Sequence, residues 1–291
     1  MSESWTVGKV ARWAESDFKA RGIETARLDA ELVLSMVLGI ERLRILVEPE
    51  RPLSQGELAK VRELIKRRRA HEPIAYLRGE REFYGRPFLV TPDVLIPRPD
   101  TEALVEVALA RTTQRDAYGR ALDLCTGSGC VAVTFAKERP SWRVTGVDVS
   151  PAALAIARAN GHALGVVWNL RWLAGDLYDV VADERFELVT ANPPYIPDAE
   201  VETLAPDVRA FEPRLALAGG TDGLDLTRRV VDLAPLHLTP AGVLAVEIMA
   251  GTSDAVRALF DARGFRDVRL ARDYAGRDRV VSGVAPASDP R

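Results

Sequence analysis

The chain has 291 residues, 47% of them hydrophobic and 28% charged, with a net charge of −3. This excludes a disordered chain and gives no general attraction to nucleic acid, so phosphate binding would need a local basic patch. No apolar run is long enough to span a bilayer, the first five residues lack a signal pattern, and Cys125 and Cys130 are too close for a staple and not at CxxC spacing; a reducing cytoplasm is the expected location.

Residues 1–77 read as a helical domain. Val7, Val10, Ala14 and Phe18 recur at helical spacing before Gly22. Leu28, Leu32, Val33, Val37 and Leu38 form a second stripe that stops at Gly39. Ser54 and Glu57 make a capping box ahead of Leu58, Val61, Leu64 and Ile65. The basic run from Lys66 to Arg69 closes that helix. It reads as a solvated last turn complementing the helix dipole, the sharper alternative being a contact with acidic RNA or a partner protein.

Residues 78–98 change character. Glu82 to Tyr84 and Pro87 to Val90 read as two short strands about a turn at Gly85 and Arg86, with Pro92, Pro97 and Pro99 stiffening the exit. We take this as a β-hairpin linker. From residue 99 to 291 strands and helices alternate. Helices are expected over 101–111, 130–138, 151–164, 224–233 and 253–262, the third opened by Ser150 and Pro151. Strands are expected over 121–125, 143–148, 170–174, 187–191 and 243–248, with an antiparallel pair at 268–271 and 279–284. The tail from Ala285 to Arg291 is expected to fray. Such alternation predicts an α/β fold: a mainly parallel sheet covered by helices on both faces, ending in an antiparallel strand.

The loop from Asp123 to Gly129 links the first strand of the sheet to a helix, and its glycines permit close backbone approach to a ligand. Asp148 ends the next strand, where an acid accepts the hydroxyls of a ribose, and Asp176 follows the third strand within reach of a base edge. Gly127, Gly129 and Ala132 also fit a dinucleotide fingerprint, so these residues alone leave a nicotinamide cofactor and S-adenosylmethionine both open. Asn192, Pro193, Pro194 and Tyr195 decide between them. They follow a buried strand, where open α/β sheets place ligand sites. An Asn carbonyl and a proline carbonyl suit the two hydrogens of a planar –NH2, and the Tyr ring suits its π-face. Hydride transfer uses no such acceptors; methyl transfer to nitrogen does.

These residues resemble the Rossmann-like S-adenosylmethionine methyltransferases that act on exocyclic or amide nitrogen. Further segments are similar to the HemK/PrmC family: Arg27 to Glu31, His71 to Tyr76, Leu95 to Glu102, Phe211 to Leu217, Gly219 to Leu224 and Ala275 to Val280. The resemblance covers nearly the whole chain. It implies a protein-(glutamine-N5) methyltransferase that modifies the glutamine of the Gly-Gly-Gln tripeptide in class-I peptide chain release factors, with S-adenosylhomocysteine as second product and no metal. It further implies cofactor contacts at Asp123, Cys125, Thr126, Gly127, Ser128, Gly129, Asp148, Asp176, Leu177 and Asn192. Asn192, Pro193, Pro194 and Tyr195 would bind substrate, with Asn192, Pro193 and Tyr195 as the catalytic set. The helical domain would recognise the release factor, and the protein would act as a monomer without membrane or nucleic-acid substrate. Three positions depart from the family pattern. Cys125 stands for a usual glycine, with its small side chain expected to point away. Leu177 stands where some members carry an aromatic, and Met249 where glycine is frequent.

Arg98, Asp100 and Glu102 are expected either to pair between domains or to shape the mouth of the site, and Glu212 and Arg214 to lie on a lid. His71, His162 and His237 fall in no metal or triad pattern. Ribosomal-protein glutamine methylation, nucleic-acid amino methylation and a lapsed cofactor-binding scaffold are the competing readings.

Overall fold

The computed structural model describes residues 5–112 and 118–287. Residues 1–4 and 288–291 lie outside them; of the tail expected to fray from Ala285, Ala285 itself is buried and donates its N–H to the Gly242 carbonyl at 2.8 Å. The chain forms two compact units, one running to Gly79 and taking in Ala205–Phe211, the other holding Glu80–Leu204 and Glu212–Arg291.

The first unit is helical: α1 (Val7–Ala20), α2 (Ala26–Leu38), α3 (Arg42–Val47), α4 (Gln55–Arg69) and α5 (Ile74–Arg78). Local chemistry sets the ends. Thr6 caps α1, Gly39 closes α2 at φ 62°, and Ser54 and Glu57 form the reciprocal capping box of α4. Val7, Phe18, Val33, Leu34, Val61 and Ile65 are buried together between the helices. The basic run closing α4 is not a free cationic face. Arg68 is buried and donates to Asp29 at 2.7 Å, Arg69 donates to Asp17 at 2.7 Å, and Arg67 donates to Glu72 at 2.8 Å. Three of its four cations are thus paired with carboxylates within the unit.

The second unit opens with a hairpin, β1 (Glu80–Phe83) and β2 (Arg86–Leu89). Its turn falls one residue earlier than expected, on Tyr84 and Gly85, both at positive φ (51° and 67°), as two-residue hairpin turns require. Glu102 holds the strained Tyr84 by accepting its N–H at 2.8 Å. After α6 (Glu102–Arg111), the chain runs β3 (Arg120–Leu124), α7 (Cys130–Glu138), β4 (Arg143–Asp148), α8 (Pro151–Ala163), β5 (Leu170–Ala174) and β6 (Phe186–Ala191). Two short helices follow, α9 (Asp198–Val201) and α10 (Pro206–Phe211), the latter grouped with the first unit. Then come α11 (Asp225–His237), β7 (Leu238–Glu247), α12 (Ser253–Ala262), β8 (Arg266–Arg272) and β9 (Asp278–Val284).

The sheet has seven strands in the order β5-β4-β3-β6-β7-β9-β8. All neighbours are parallel except that β9 runs antiparallel to both β7 and β8. The α/β, Rossmann-like architecture with a terminal antiparallel strand is therefore as the sequence predicts. Leu122, Leu124, Leu188, Val189 and Leu244 are fully buried, as strands covered on both faces demand. The chain winds outward from β3 to β5 and then crosses back to β6 on the other side of β3. That reversal opens a crevice at the carboxyl ends of β3 and β6.

Candidate active site

The crevice is a cavity of about 430 Å³ whose lining includes Thr126, Gly127, Asp148, Asp176, Leu177, Asn192 and Pro194. All of its walls belong to the second unit.

One wall is the β3–α7 loop. Cys125, Gly127 and Gly129 all sit at positive φ (55°, 53° and 77°). This explains why glycine suits position 125; a non-glycine residue there costs about 1–2 kcal/mol. Cys125 belongs to the cavity wall and packs against the core of the sheet. Burial pushes its thiol pKa well up, so it is no nucleophile. Asp123, 3% exposed, accepts from Thr126 Oγ1 at 2.5 Å and from Thr190 Oγ1 at 2.7 Å. Both its oxygens are thus used to tie the loop to β6, and burial pushes its pKa up to about 6. Ser128 also lines the cavity, and its carbonyl accepts from Asn160 Nδ2 at 2.9 Å. Gly129 lies outside the lining. A Cβ there would meet Ala157 and Trp172 at 3.0 Å, so its glycine serves packing against α8 and β5.

Asp148 ends β4 and aims its carboxylate across the loop. Oδ2 accepts the Gly127 N–H at 2.8 Å and Oδ1 accepts the Ser150 N–H at 2.9 Å. Burial raises its pKa against these two donors. Each oxygen keeps a lone pair, which is what a vicinal diol needs. Beyond it, Asp176 pairs with Arg229 of α11 at 2.9 Å, and both line the cavity beside Leu177.

The opposite wall carries the Asn-Pro-Pro-Tyr segment. Asn192 is half-buried and donates through Nδ2 to Thr101 Oγ1 at 3.3 Å. That leaves its side-chain oxygen unspent. Pro194 lines the cavity; Pro193 and Tyr195 do not. The Tyr195 hydroxyl instead donates to Glu247 Oε1 at 3.3 Å. The segment is zipped to the stretch after Glu212: Ile196 N–H donates to the Leu217 carbonyl at 3.0 Å and Gly219 N–H to the Ile196 carbonyl at 2.8 Å. Gly219 must be glycine for this approach, since a Cβ would lie 2.7 Å from the Pro194 carbonyl oxygen.

Pro213, Leu215 and Ala216 close the cavity above, and Glu212 anchors them. Its buried carboxylate accepts from Arg98 Nη2 and, at 3.1 Å, from the Ile96 N–H. Asp100 pairs with Arg277 at 2.8 Å and Arg279 at 3.3 Å. Arg98, at the end of the hairpin segment, thus pairs with Glu212, and Glu102 accepts from Tyr84 of the hairpin, so hairpin and methyltransferase segment are joined as expected, while Arg98 also lines the cavity. Sequence reasoning missed Thr101, Asn160, Arg229 and Glu247 as members of this site. Thr101 lay inside the segment from Leu95 to Glu102, the only signal available; the other three act through partners far away in sequence. Among the described residues no cluster of His, Cys, Asp and Glu has the makings of a metal site.

Two family models match the chain: one described as PrmC N-terminal domain over residues 9–79 and one as methyltransferase small domain over residues 101–207. A release factor glutamine methyltransferase from Geobacter sulfurreducens is 45% identical over 281 residues, 97% of each chain. Another from Cereibacter sphaeroides is 43% identical over 92% of this chain and 95% of its own. Among solved structures, a methyltransferase from Pyrococcus furiosus matches with a TM-score of 0.52 at 17% identity, over 69% of this chain and 90% of that one, a likeness of fold alone.

Proposed function

We infer the chemistry of this cavity from one premise: the chain belongs to the release factor glutamine methyltransferase family. It is a methyltransferase acting on a glutamine of a peptide chain release factor. We propose that the acceptor is the side-chain amide nitrogen of the Gly-Gly-Gln glutamine in class-I release factors. The donor would be S-adenosylmethionine, in a cytoplasmic, monomeric enzyme. The observation that carries this reading is the Asn192 side-chain oxygen, left free beside the cavity by the bond from its amide nitrogen to Thr101.

The residues present fit the cofactor. Asp148 would hold the ribose hydroxyls, Gly127 would admit the amino-acid part against the loop backbone, and Asp176 with Leu177 would meet the adenine. Bound S-adenosylmethionine would supply an electrophilic methyl group; as the new nitrogen–carbon bond forms the sulfur–carbon bond breaks to leave S-adenosylhomocysteine, and the surplus proton on nitrogen passes to water, leaving N5-methylglutamine. The protein's task is orientation. An amide nitrogen is a poor nucleophile because its lone pair is delocalised. Asn192 Oδ1, on the cavity wall, would accept one N–H, and the Pro193 carbonyl, from a residue outside the lining, would accept the other, which would fix the plane of the amide and the direction of its lone pair. Pro194 packs against that plane. Tyr195 would contribute from behind through its bond to Glu247. Such placement is worth roughly 7–11 kcal/mol in favourable cases. A dedicated base is unnecessary, because the amide proton becomes acidic only as the new bond forms.

The deciding experiment is methyl transfer from labelled S-adenosylmethionine to a purified bacterial release factor, with the site located by peptide mass spectrometry. One methyl on the Gly-Gly-Gln glutamine is the expected result. Label elsewhere, or none with cofactor bound, rejects the assignment.

A further inference from the structure

Asn160 lies inside α8 and is 1% exposed. Asparagine is a poor helix former, and a buried one within a helix needs partners elsewhere. Here the side chain leaves its own helix and makes three bonds. Oδ1 accepts the Leu89 N–H at 2.7 Å, and Nδ2 donates to the Leu89 carbonyl at 3.0 Å and to the Ser128 carbonyl at 2.9 Å. Only the oxygen end of the amide can take the Leu89 N–H, so its orientation is fixed and both its hydrogens are spent.

The two partners serve different parts of the cavity wall. Ser128 lines the cavity from the β3–α7 loop. Leu89 ends β2 and lies outside the lining. By meeting both backbone groups of Leu89, Asn160 treats the hairpin as a neighbouring strand would. Past Leu89, Val90 is buried, and the Thr91 carbonyl accepts the Val94 N–H at 3.1 Å to turn the chain. Asp93, Val94 and Leu95 then line the cavity.

We propose that Asn160 is a positioning residue of the cofactor cavity: its one amide clamps the Ser128 carbonyl and the Leu89 backbone, fixes the spacing of the β3–α7 loop from the hairpin exit, and so sets the affinity for S-adenosylmethionine. The inference rests on the cofactor reading above and names the residue that gives that cradle its width.

Neighbouring contacts make the clamp stiff. A Cβ on Gly129 would lie 3.0 Å from Ala157 Cβ, so the loop also rests on α8 one turn before Asn160. A Cβ on Gly161, next to Asn160, would lie 3.3 Å from Leu170 Cδ1, so α8 is pressed closely on β5. Three consecutive loop residues are thus held from outside the loop: Gly127 by Asp148, Ser128 by Asn160 and Gly129 by Ala157. Asn160 adds the hairpin to this set. Asn160→Asp keeps the shape and the acceptor for the Leu89 N–H, but sets an oxygen against the Ser128 and Leu89 carbonyls, which repels the loop. Asn160→Ala leaves the carbonyl of Ser128, a residue 3% exposed, without its donor.

The test uses the full-length protein, these two variants and S-adenosylmethionine itself. The readouts are cofactor affinity by calorimetry, single-turnover methylation of a bacterial release factor, and the Leu89 backbone amide resonance of 15N-leucine-labelled protein. That resonance is assigned by its loss in Leu89→Met. Both variants should bind S-adenosylmethionine at least about tenfold more weakly, with the rate at saturating cofactor and the half-saturating release factor within about threefold of wild type. Saturating cofactor should shift the Leu89 amide in the wild type and leave it unmoved in Asn160→Ala. A merely loosened α8 would lower rate and affinity together and give no cofactor-dependent shift at Leu89. Affinity within about twofold of wild type in either variant, an equal fall of rate and affinity, or an unshifted Leu89 amide in the wild type overturns the proposal. If neither variant folds, the wild-type shift decides. A wild-type protein that binds no S-adenosylmethionine refutes the cofactor reading instead, and the proposal falls with it.

Discussion

Asp148 Oδ2 accepts the Gly127 N–H at 2.8 Å, so the acid that ends β4 also sets the conformation of the loop that ends β3. One carboxylate thereby shapes two parts of the cofactor cradle. Asp148→Ala should weaken S-adenosylmethionine by more than about tenfold, or 1.4 kcal/mol, by calorimetry. Asp148→Asn keeps one acceptor and should fall between. An unchanged dissociation constant in Asp148→Ala would remove this residue from the ribose.

Asn192 lines the cavity and gives its side-chain nitrogen to Thr101, which leaves its side-chain oxygen unspent. Asn192→Ala removes the acceptor for the substrate amide without touching the cradle around Asp148. Methyl transfer should drop by at least about a thousandfold, since positioning supplies most of the rate. Cofactor affinity should stay within about twofold. Loss of cofactor binding together with activity would show that the labour is not divided this way.

Gly219 lies where a Cβ would sit 2.7 Å from the Pro194 carbonyl oxygen, 2.8 Å from that of Gly223 and 2.9 Å from Tyr195 Cα. All three are backbone atoms and none can swing aside. Gly219→Ala should displace the Asn-Pro-Pro-Tyr segment and cut the maximal rate at least about tenfold in steady-state kinetics. Gly56 offers the control. It is helical, an added methyl would meet nothing within 4 Å, and Gly56→Ala should stabilise α4 by about 0.5–1 kcal/mol at unchanged rate. Equal rates in the two variants would mean that Gly219 does not govern the segment.

Much of this molecule was legible because the relevant interactions are local. The Ser54–Glu57 box and the Ser150–Pro151 cap act within one helical turn, and both open helices where the sequence placed them. The order of strands from β3 onward followed from hydrophobic runs of ordinary length. The short helices α3 and α5, with six and five residues, gave no periodic signal. Residues 238–242 lay outside the strand expected over 243–248, yet they belong to β7, with Ala241 bent to φ 62°. The hairpin turn was misplaced because Tyr84 is an improbable residue for positive φ and is held there by Glu102, eighteen positions away. The site divides in the same way. Its glycines, acids and prolines were visible as a pattern. The partners that orient them were not, because Asn160 to Leu89, Arg229 to Asp176 and Tyr195 to Glu247 are each separated by at least 52 positions.

The buried Glu247 makes the stability of the fold depend on pH. Its pKa rises from the ordinary 4.5 to about 7 on folding, chiefly by burial. Between those values the folded protein binds more protons than the unfolded chain, so stability falls as pH rises through the window. The fully ionised group then costs the fold roughly 3 kcal/mol at the upper limit. Glutamine has the same shape and no charge. Glu247→Gln should therefore melt near the wild-type temperature at pH 5 and several degrees above it at pH 8. Differential scanning calorimetry across that range checks the sign directly. A variant that melts below wild type at pH 8 would mean that the ionised carboxylate is a net stabilising partner of Arg279 rather than a group whose burial costs the fold.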